Sequence, residues 1–390
     1  MIDIISVSKA ATLSKSKYPD TINASIGMFY DETGKIGGIP YVRNFLKNIN
    51  ADSILPYASM DGGQLFRNNV ISWVLRDYEK DIRDTMFVDS FATLGGSGSI
   101  STTFSIYGNP GDAILVSDNR WQYERFAEVA KLNIFEHELF DGDAFNLKDF
   151  ELKLDALTKK QKQVIVVLND PCHNPTGYTL SISEFEKIVQ ILNKYTQNQI
   201  VFLYDIAYLE YDFNESREKF KFIPELKPHV LTILSFSGSK TFGIYGFRMG
   251  ASIAISKDES KIKDFYNHMI KTVRGYWSSS PTIGIELFNT VVDNPKPFLD
   301  DLNVILDVSK KRAKLFISEA KEAGLETLPF RNGFYIMVAS KNPLKDYEKL
   351  LLHRIFVIPL EHGLRVALSS LSLDDIKGLP RKIKNILGDS

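Results

Sequence analysis

The chain has 390 residues, a formal net charge of −1 and a single cysteine, Cys172. That length exceeds one ordinary core, so two domains, or one large domain with an appendage, are expected. A near-zero charge with no isolated run of Lys and Arg argues against nucleic acid or a membrane surface as partner, one cysteine forms no internal disulfide and fits a reducing compartment, and no leader-like or membrane-length apolar run is found, so the expected setting is the cytoplasm.

Residues up to Asp20 are mixed and Ser/Lys-rich, consistent with a short helix or with an arm lying on another subunit. Between Asn23 and Pro40, Gly27, Gly34, Gly37 and Gly38 surround Asp31-Glu-Thr33, which predicts an extended loop with tight turns, and Pro40 then opens a helix. Phe66, Val70, Trp73 and Val74 share a helical face. The apolar segment Phe87 to Leu94 feeds Gly95-Gly-Ser-Gly-Ser99, and Ile100 to Tyr107 continues as helix. A glycine turn between strand and helix either presents backbone N–H groups to an anion or serves plain packing.

Ala113 to Val116 reads as a short buried strand with Trp121 on the loop beyond, and Val164 to Leu168 as the next, ending in Asn169-Asp-Pro-Cys-His-Asn-Pro-Thr-Gly177. Ser183 with Glu186 predicts a capping box for a helix that buries Phe185, Ile188, Val189 and Leu192. Ile200 to Tyr204 is a strand closing in Asp205-Ile-Ala-Tyr208, and Val230 to Leu234 is another. That last strand runs into Ser235-Phe-Ser-Gly-Ser-Lys-Thr-Phe-Gly-Ile-Tyr-Gly-Phe-Arg-Met-Gly250, where two hydroxyls, a glycine and Arg248 accompany Lys240. Such groups suit a phosphate beside an amine, although a solvated loop lysine between small turn residues has the same local sequence.

Alternating strands and helices predict a mainly parallel, doubly wound α/β sheet, whose ligands sit beyond the carboxyl ends of the strands. Ser97, Trp121, Asn174, Asp205, Tyr208 and Lys240 all fall at that edge. Glu259 to Arg274 reads as a helix, and a long helix follows Pro297 with Leu302, Ile305, Leu306, Leu315 and Phe316 inward. Phe334 to Val338 and Arg365 to Leu368 read as strands of a smaller α+β domain. The expected division is an arm over 1–22, a large domain over 41–290, and a small domain built from 23–40 and 291–390.

Asn174-Pro-Thr-Gly177, Asp205-Ile-Ala-Tyr208, Ser237-Gly-Ser-Lys240, Arg248 and Arg365 stand in the order and approximate spacing of the class I aminotransferases, pyridoxal-phosphate enzymes of fold type I, which the chain resembles. Ile26-Gly27 with Asp31-Glu-Thr-Gly-Lys35, Gly95-Gly-Ser-Gly98, Cys172-His173, and Arg274 before Tyr276 resemble the aspartate and aromatic amino acid aminotransferases more closely. The likeness runs from about Asn23 to Leu368.

The resemblance implies pyridoxal 5′-phosphate as cofactor and no metal. Lys240 would be the amine that links to the cofactor aldehyde and then shuttles the substrate α-proton. Asp205 would hold the ring nitrogen, Asn174 and Tyr208 the ring 3-oxygen, and Trp121 the ring face. Gly96, Ser97, Gly98, Ser237, Ser239 and Arg248 would hold the phosphate, joined by Tyr57 from a neighbouring subunit, which makes a homodimer with shared sites part of the expectation. Arg365 would bind the substrate α-carboxylate with Gly27 closing over it, beside Trp121 and Asn174, and Arg274 would select a distal carboxylate across the dimer.

The implied reaction passes the amino group of aspartate or glutamate, or of an aromatic amino acid, to an oxo acid such as 2-oxoglutarate. A lyase or decarboxylase on the same scaffold, a non-catalytic relative, and a nucleotide-binding oxidoreductase resting on Gly95 to Gly98 are the alternatives. Three departures from the family pattern stand out, the first being Gly238 before Lys240, where a larger residue is common and the loop is expected to be looser. Glu124 and Asn169 occupy positions where histidines are expected, and Glu124 either strengthens the negative potential around Asp205 or points to solvent.

Overall fold

Apolar runs of five to eight residues set the architecture. The computed structural model describes residues 3–213 and 216–388. An N-terminal helix, α1 (Ile4–Lys17), starts where the Asp3 carboxylate accepts the Ile5 and Ser6 amides. The chain then lays down β1 (Phe87–Leu94), α2 (Gly95–Tyr107), β2 (Ala113–Ser117), β3 (Asn133–His137) and β4 (Gln163–Asn169). It continues through α3 (Ile182–Leu192), β5 (Gln199–Asp205), β6 (Val230–Ser237), β7 (Met249–Ser256), α4 (Glu259–Tyr276) and α5 (Pro295–Ala323). Three strands near the end, β8 (Tyr335–Ala339), β9 (Ile358–Leu360) and β10 (Gly363–Ala367), complete the principal elements.

The first seven strands form one sheet in the order β1-β7-β6-β5-β4-β2-β3, mixed and mostly parallel, with β7 antiparallel to both neighbours. Both faces are covered, and strand alternation sends Leu115, Val166, Leu168, Phe202 and Tyr204 into one apolar cluster and Ile114, Val116, Ile165, Val167, Val201 and Leu203 into the other. Burial on both faces is why these strands are continuous apolar runs. The register aligns Asn169 with Asp205 and Asp205 with Ser235, so three polar residues stand on one line at or near the carboxyl ends of adjacent strands.

β8, β10 and β9 form an antiparallel sheet over a separate apolar cluster that includes Ile336, Val338, Leu364 and Val366. α5 spans the two cores: Phe298 and Leu302 pack with the large sheet, Phe316 and Ala320 with the small one. It stops at Gly324, whose φ of 64° is the left-handed conformation that ends helices. Ile305, Leu306 and Leu315 of its expected inner face are only partly buried. α1 docks on its own chain through Val7, and Ile22–Asn23 pairs in parallel with Ile355–Phe356.

Two local expectations change. The capping box of α3 is Ser181 with Glu184, not Ser183 with Glu186. Ser181 is extended, its Oγ accepts the Glu184 amide at 3.2 Å, and the Glu184 carboxylate accepts the Ser181 amide at 2.7 Å, so Ser183 already lies inside the helix. Met249–Ser256 is a fully buried strand that small residues disguised in the sequence; Gly250 is obligatory there, because a Cβ would overlap the Gly95 backbone. Among the described residues, no helix is long and apolar enough to cross a membrane.

Candidate active site

A cavity of about 280 Å³ opens at the carboxyl ends of β4, β5 and β6 and is closed from the other side by Gly27, Tyr335 and Arg365. β6 stops in Ser237, and the chain turns at once into a four-residue helix, Gly238–Thr241, that carries Lys240. The Lys240 amine donates to the Gly27 carbonyl at 2.6 Å and lies over the rings of Tyr245, Phe334 and Tyr208 at 5.0, 5.4 and 5.6 Å. Burial, joined by the nearby Arg365 and Arg248 charges and opposed by Tyr335, holds this amine below its usual range. The uncharged form of the amine is thus favoured relative to that of a solvated lysine.

Asp205 ends β5 as a buried carboxylate. Burial pushes it up to about 6 against the hydrogen bonds it accepts from the Tyr123 hydroxyl, at 2.7 Å, and the Ala207 amide, at 3.2 Å. Asn169 ties two strand ends together: its Nδ2 donates to the Asp205 carbonyl at 3.0 Å, and its Oδ1 accepts the Asn174 amide at 2.8 Å. Asn174 in turn accepts from Arg365 Nη1 at 3.2 Å, while Arg365 Nη2 donates to the Ser25 carbonyl at 2.9 Å. Arg365 Nε is buried without a partner.

The anion cradle forms where β1 meets α2. Gly95 has φ 66°, and a Cβ there would stand 2.9 Å from Arg248 Nη2. Arg248 itself holds a left-handed φ of 53° and donates to the Tyr245 carbonyl at 2.9 Å. The first amides of α2, the hydroxyls of Ser97, Ser237 and Ser239, and the Arg248 guanidinium thus face one end of the cavity.

Of the residues named from the sequence, Gly27, Gly96, Ser97, Trp121, Asn174, Asp205, Tyr208, Ser237, Ser239, Lys240, Arg248 and Arg365 line this one cavity. Gly98 does not; it sits behind, where a Cβ would meet Thr93 and Trp277. Tyr57 is 97% exposed, and Arg274, in the last turn of α4, is also exposed; neither lines the cavity. Glu124 does not strengthen the field at Asp205. It turns to Arg120 at 3.4 Å, and its neighbour Tyr123 supplies the contact to the aspartate.

Three functional-site tyrosines escaped sequence reasoning. Tyr123 stands two residues after Trp121, Tyr245 three before Arg248, and Tyr335 inside a strand that reads as core. The Tyr245 oxygen accepts the Phe29 amide at 2.8 Å and so pins the Gly27 segment. Tyr208 donates to the Tyr335 oxygen at 3.2 Å, and the Tyr335 ring lies against the Arg365 guanidinium at 4.5 Å.

Residues 19–383 match the family described as Aminotransferase class I and II. A tyrosine aminotransferase of Klebsiella pneumoniae is 27% identical over 280 residues, 70% of this chain and 69% of that protein. The crystal structure of an aminotransferase from Anaerococcus prevotii superposes with a TM-score of 0.93 at 26% identity, over 97% of this chain and 95% of its own. An aromatic amino acid aminotransferase from Burkholderia pseudomallei, solved covalently bound to pyridoxal phosphate, has the same fold, with a TM-score of 0.83 at 22% identity over 100% of this chain and 98% of its own. The chain belongs to the class I and II aminotransferases, and its activity is the pyridoxal-phosphate-dependent transfer of amino groups between amino acids and oxo acids.

Proposed function

We propose that Lys240 is the centre of a two-stage transfer in which an L-amino acid leaves its nitrogen at this site and a 2-oxo acid such as 2-oxoglutarate then collects it. One observation carries this reading: a buried amine kept below its usual range shares a cavity with a buried carboxylate raised to about 6, with no ion pair between them. Pyridoxal phosphate has an aldehyde, a ring nitrogen and a phosphate, and the cavity offers a fitting group for each. Lys240 would take the aldehyde, Asp205 the ring nitrogen, and Asn174 and Tyr208 the 3-oxygen. Trp121 would cover the ring, and Gly96, Ser97, Ser237, Ser239 and Arg248 would hold the phosphate, with Gly98 backing the α2 turn. When bound, the cofactor supplies an electron sink for charge developing at the substrate α-carbon.

The chain's own residues do the rest. Arg365 has a free Nε and two donors on its outer nitrogens, a fork suited to a carboxylate, so it binds the substrate α-carboxylate beneath Gly27. Because Arg365 and Lys240 line the same cavity, a substrate so held would present its α-proton to Lys240 Nζ, which would take it as a general base and return it as a general acid. Asp205, buried under Tyr123, stays fixed and supplies a negative charge at the far side of the cavity.

A homodimer completes the reading. The exposure of Tyr57 and Arg274 supports their reaching a second copy's cavity, Tyr57 to the phosphate end and Arg274 to a distal carboxylate, which makes aspartate or glutamate the preferred donor and aromatic amino acids secondary ones. The two apolar cores support a large domain over 41–290 and a small one from 23–40 and 291–390, with 1–22 as an arm. A cytoplasmic setting rests on the lone, buried Cys172. Purified protein loaded with pyridoxal phosphate should be yellow, bleach with aspartate, and regain colour with 2-oxoglutarate. A protein that stays colourless after incubation with the cofactor, or whose band no amino acid alters, overturns the proposal.

A further inference from the structure

Tyr335 has no role in the reaction as set out above, yet its hydroxyl sits where several parts of the site meet. The residue is buried in β8 and lines the cavity. Its oxygen accepts the Tyr208 hydroxyl at 3.2 Å. A Cβ on Gly27 would overlap that oxygen, so the phenol lies directly against the segment whose carbonyl accepts Lys240 Nζ at 2.6 Å. The ring of the same residue stacks on the Arg365 guanidinium, 4.5 Å from the ring centroid. The titratable groups around the phenol are Tyr208 after β5, Lys240 after β6, Tyr245 in the loop beyond, and Arg365 on β10.

We propose that Tyr335 is a positioning residue: by accepting the Tyr208 hydrogen bond, it limits how strongly Tyr208 can donate to the cofactor's 3-oxygen. The inference rests on Tyr208 facing that oxygen, as set out under the proposed function. A hydroxyl has one proton to donate, so what Tyr208 gives to Tyr335 is withdrawn from any other acceptor. The direction rests on the geometry, in which the Tyr208 hydroxyl donates and the Tyr335 oxygen accepts. Burial raises both phenols, but at Tyr335 the charges of Lys240 and Arg365 and the Tyr208 hydrogen bond outweigh it and hold the group below its usual range, whereas Tyr208 is held well above.

The test uses the loaded enzyme and reads the pH at which its visible band converts. A Tyr208 proton given to the cofactor's anionic oxygen stabilises the deprotonated site. Tyr335→Phe removes the competing acceptor and should lower the conversion pH by roughly 0.5 to 1 unit, whereas Tyr208→Phe should raise it. The double variant should match Tyr208→Phe alone, because Tyr335 acts only through Tyr208. The phenylalanine keeps its ring on Arg365, so the KM for the amino acid should stay within about twofold, the scale of an undisturbed contact. In the cofactor-free protein, ultraviolet titration should show one tyrosine ionising below the usual range in the wild type and in Tyr208→Phe, and none in Tyr335→Phe.

If Tyr208→Phe shifts the band but Tyr335→Phe does not, the inference falls and the reading of Tyr208 stands. Equal shifts from Tyr335→Phe in the presence and absence of the Tyr208 hydroxyl would mean a field effect, which also overturns it. If Tyr208→Phe leaves the band unmoved, the reading of Tyr208 and the inference fall together.

Discussion

Two lysine–aspartate sets lie on adjoining strand ends and are built in opposite ways. Asp170 follows the last residue of β4, and its carboxylate accepts from Lys219 at 2.6 Å, from the Tyr204 hydroxyl at 2.7 Å and from the Leu180 amide at 2.7 Å. Lys219 and Asp170 are almost wholly buried, and each cancels the other. One strand over, Asp205 accepts only from a neutral phenol and an amide, and among the described residues no carboxylate pairs with Lys240. The first set fixes a loop. The second keeps two desolvated groups apart, each displaced from its ordinary titration, so that a molecule with a base at one end and an aldehyde at the other meets both. Buried charge by itself is therefore no sign of function here; buried charge left unpaired is.

Breaking each set should have a different signature. Lys240→Ala should cut amino transfer by about 10⁴-fold while the cofactor-free fold survives, because the amine supplies the proton transfer and pairs with no buried carboxylate; stopped-flow absorbance of the amino acid half-reaction measures this. Lys219→Met should do the reverse. It strands a buried carboxylate and should cost about 3–5 kcal/mol in urea denaturation, with a visible band that is normal in whatever protein remains folded.

Asp205→Asn sharpens the contrast through pH. Burial pushes the folded carboxyl up to about 6 from the ordinary 3.8, so the native state holds the proton more tightly than the unfolded chain does. This group's stabilisation is fully present below the unfolded value and is lost as pH rises through about 6. Cofactor-free protein should lose on the order of 3 kcal/mol across that window, and the asparagine variant should show a flatter profile. Arg274→Leu should lower kcat/KM for aspartate by about 10- to 100-fold and that for phenylalanine by far less, the discrimination expected of one charged contact. Equal losses would remove Arg274 from substrate selection. Glu124→Gln should change stability by less than about 1 kcal/mol and leave the Asp205 profile in place, since its partner is Arg120 on a partly exposed surface.

The sequence made the frame of this site legible because its parts lie where strands stop. Asp205 closes an apolar run and Asn174 and Lys240 follow theirs within a few residues, and the doubly wound order then gathers them at one edge. What stayed hidden depends on which way a side chain turns. Tyr123 and Glu124 are neighbours, and only the fold decides that the phenol, not the carboxylate, meets Asp205. Asn169 looked like a lost histidine, whereas its amide bridges two strand ends, which needs one donor and one acceptor on the same short side chain. Tyr335 reads as one more core aromatic of a strand, and nothing local tells that its hydroxyl faces a cavity. Met249–Ser256 went unread because Gly250, Ala251 and Ala254 carry no strand signature; the missing side chain of Gly250 is what lets the Gly95 backbone approach the sheet.

The segment from Ser25 to Gly27 touches both cations with nothing but peptide oxygens. Ser25 gives its carbonyl to Arg365 and Gly27 gives its own to Lys240, while Tyr245 anchors the next stretch by the Phe29 amide. On the proposed reading, the Ser25 carbonyl stands where a substrate would bring the full negative charge of its carboxylate. An incoming carboxylate competes with the protein's own main chain rather than with bulk water, and it wins by being charged. Analogues without the carboxylate would lack that advantage, so on this reading the backbone would act as a threshold that screens ligands by charge before any side chain reads their shape.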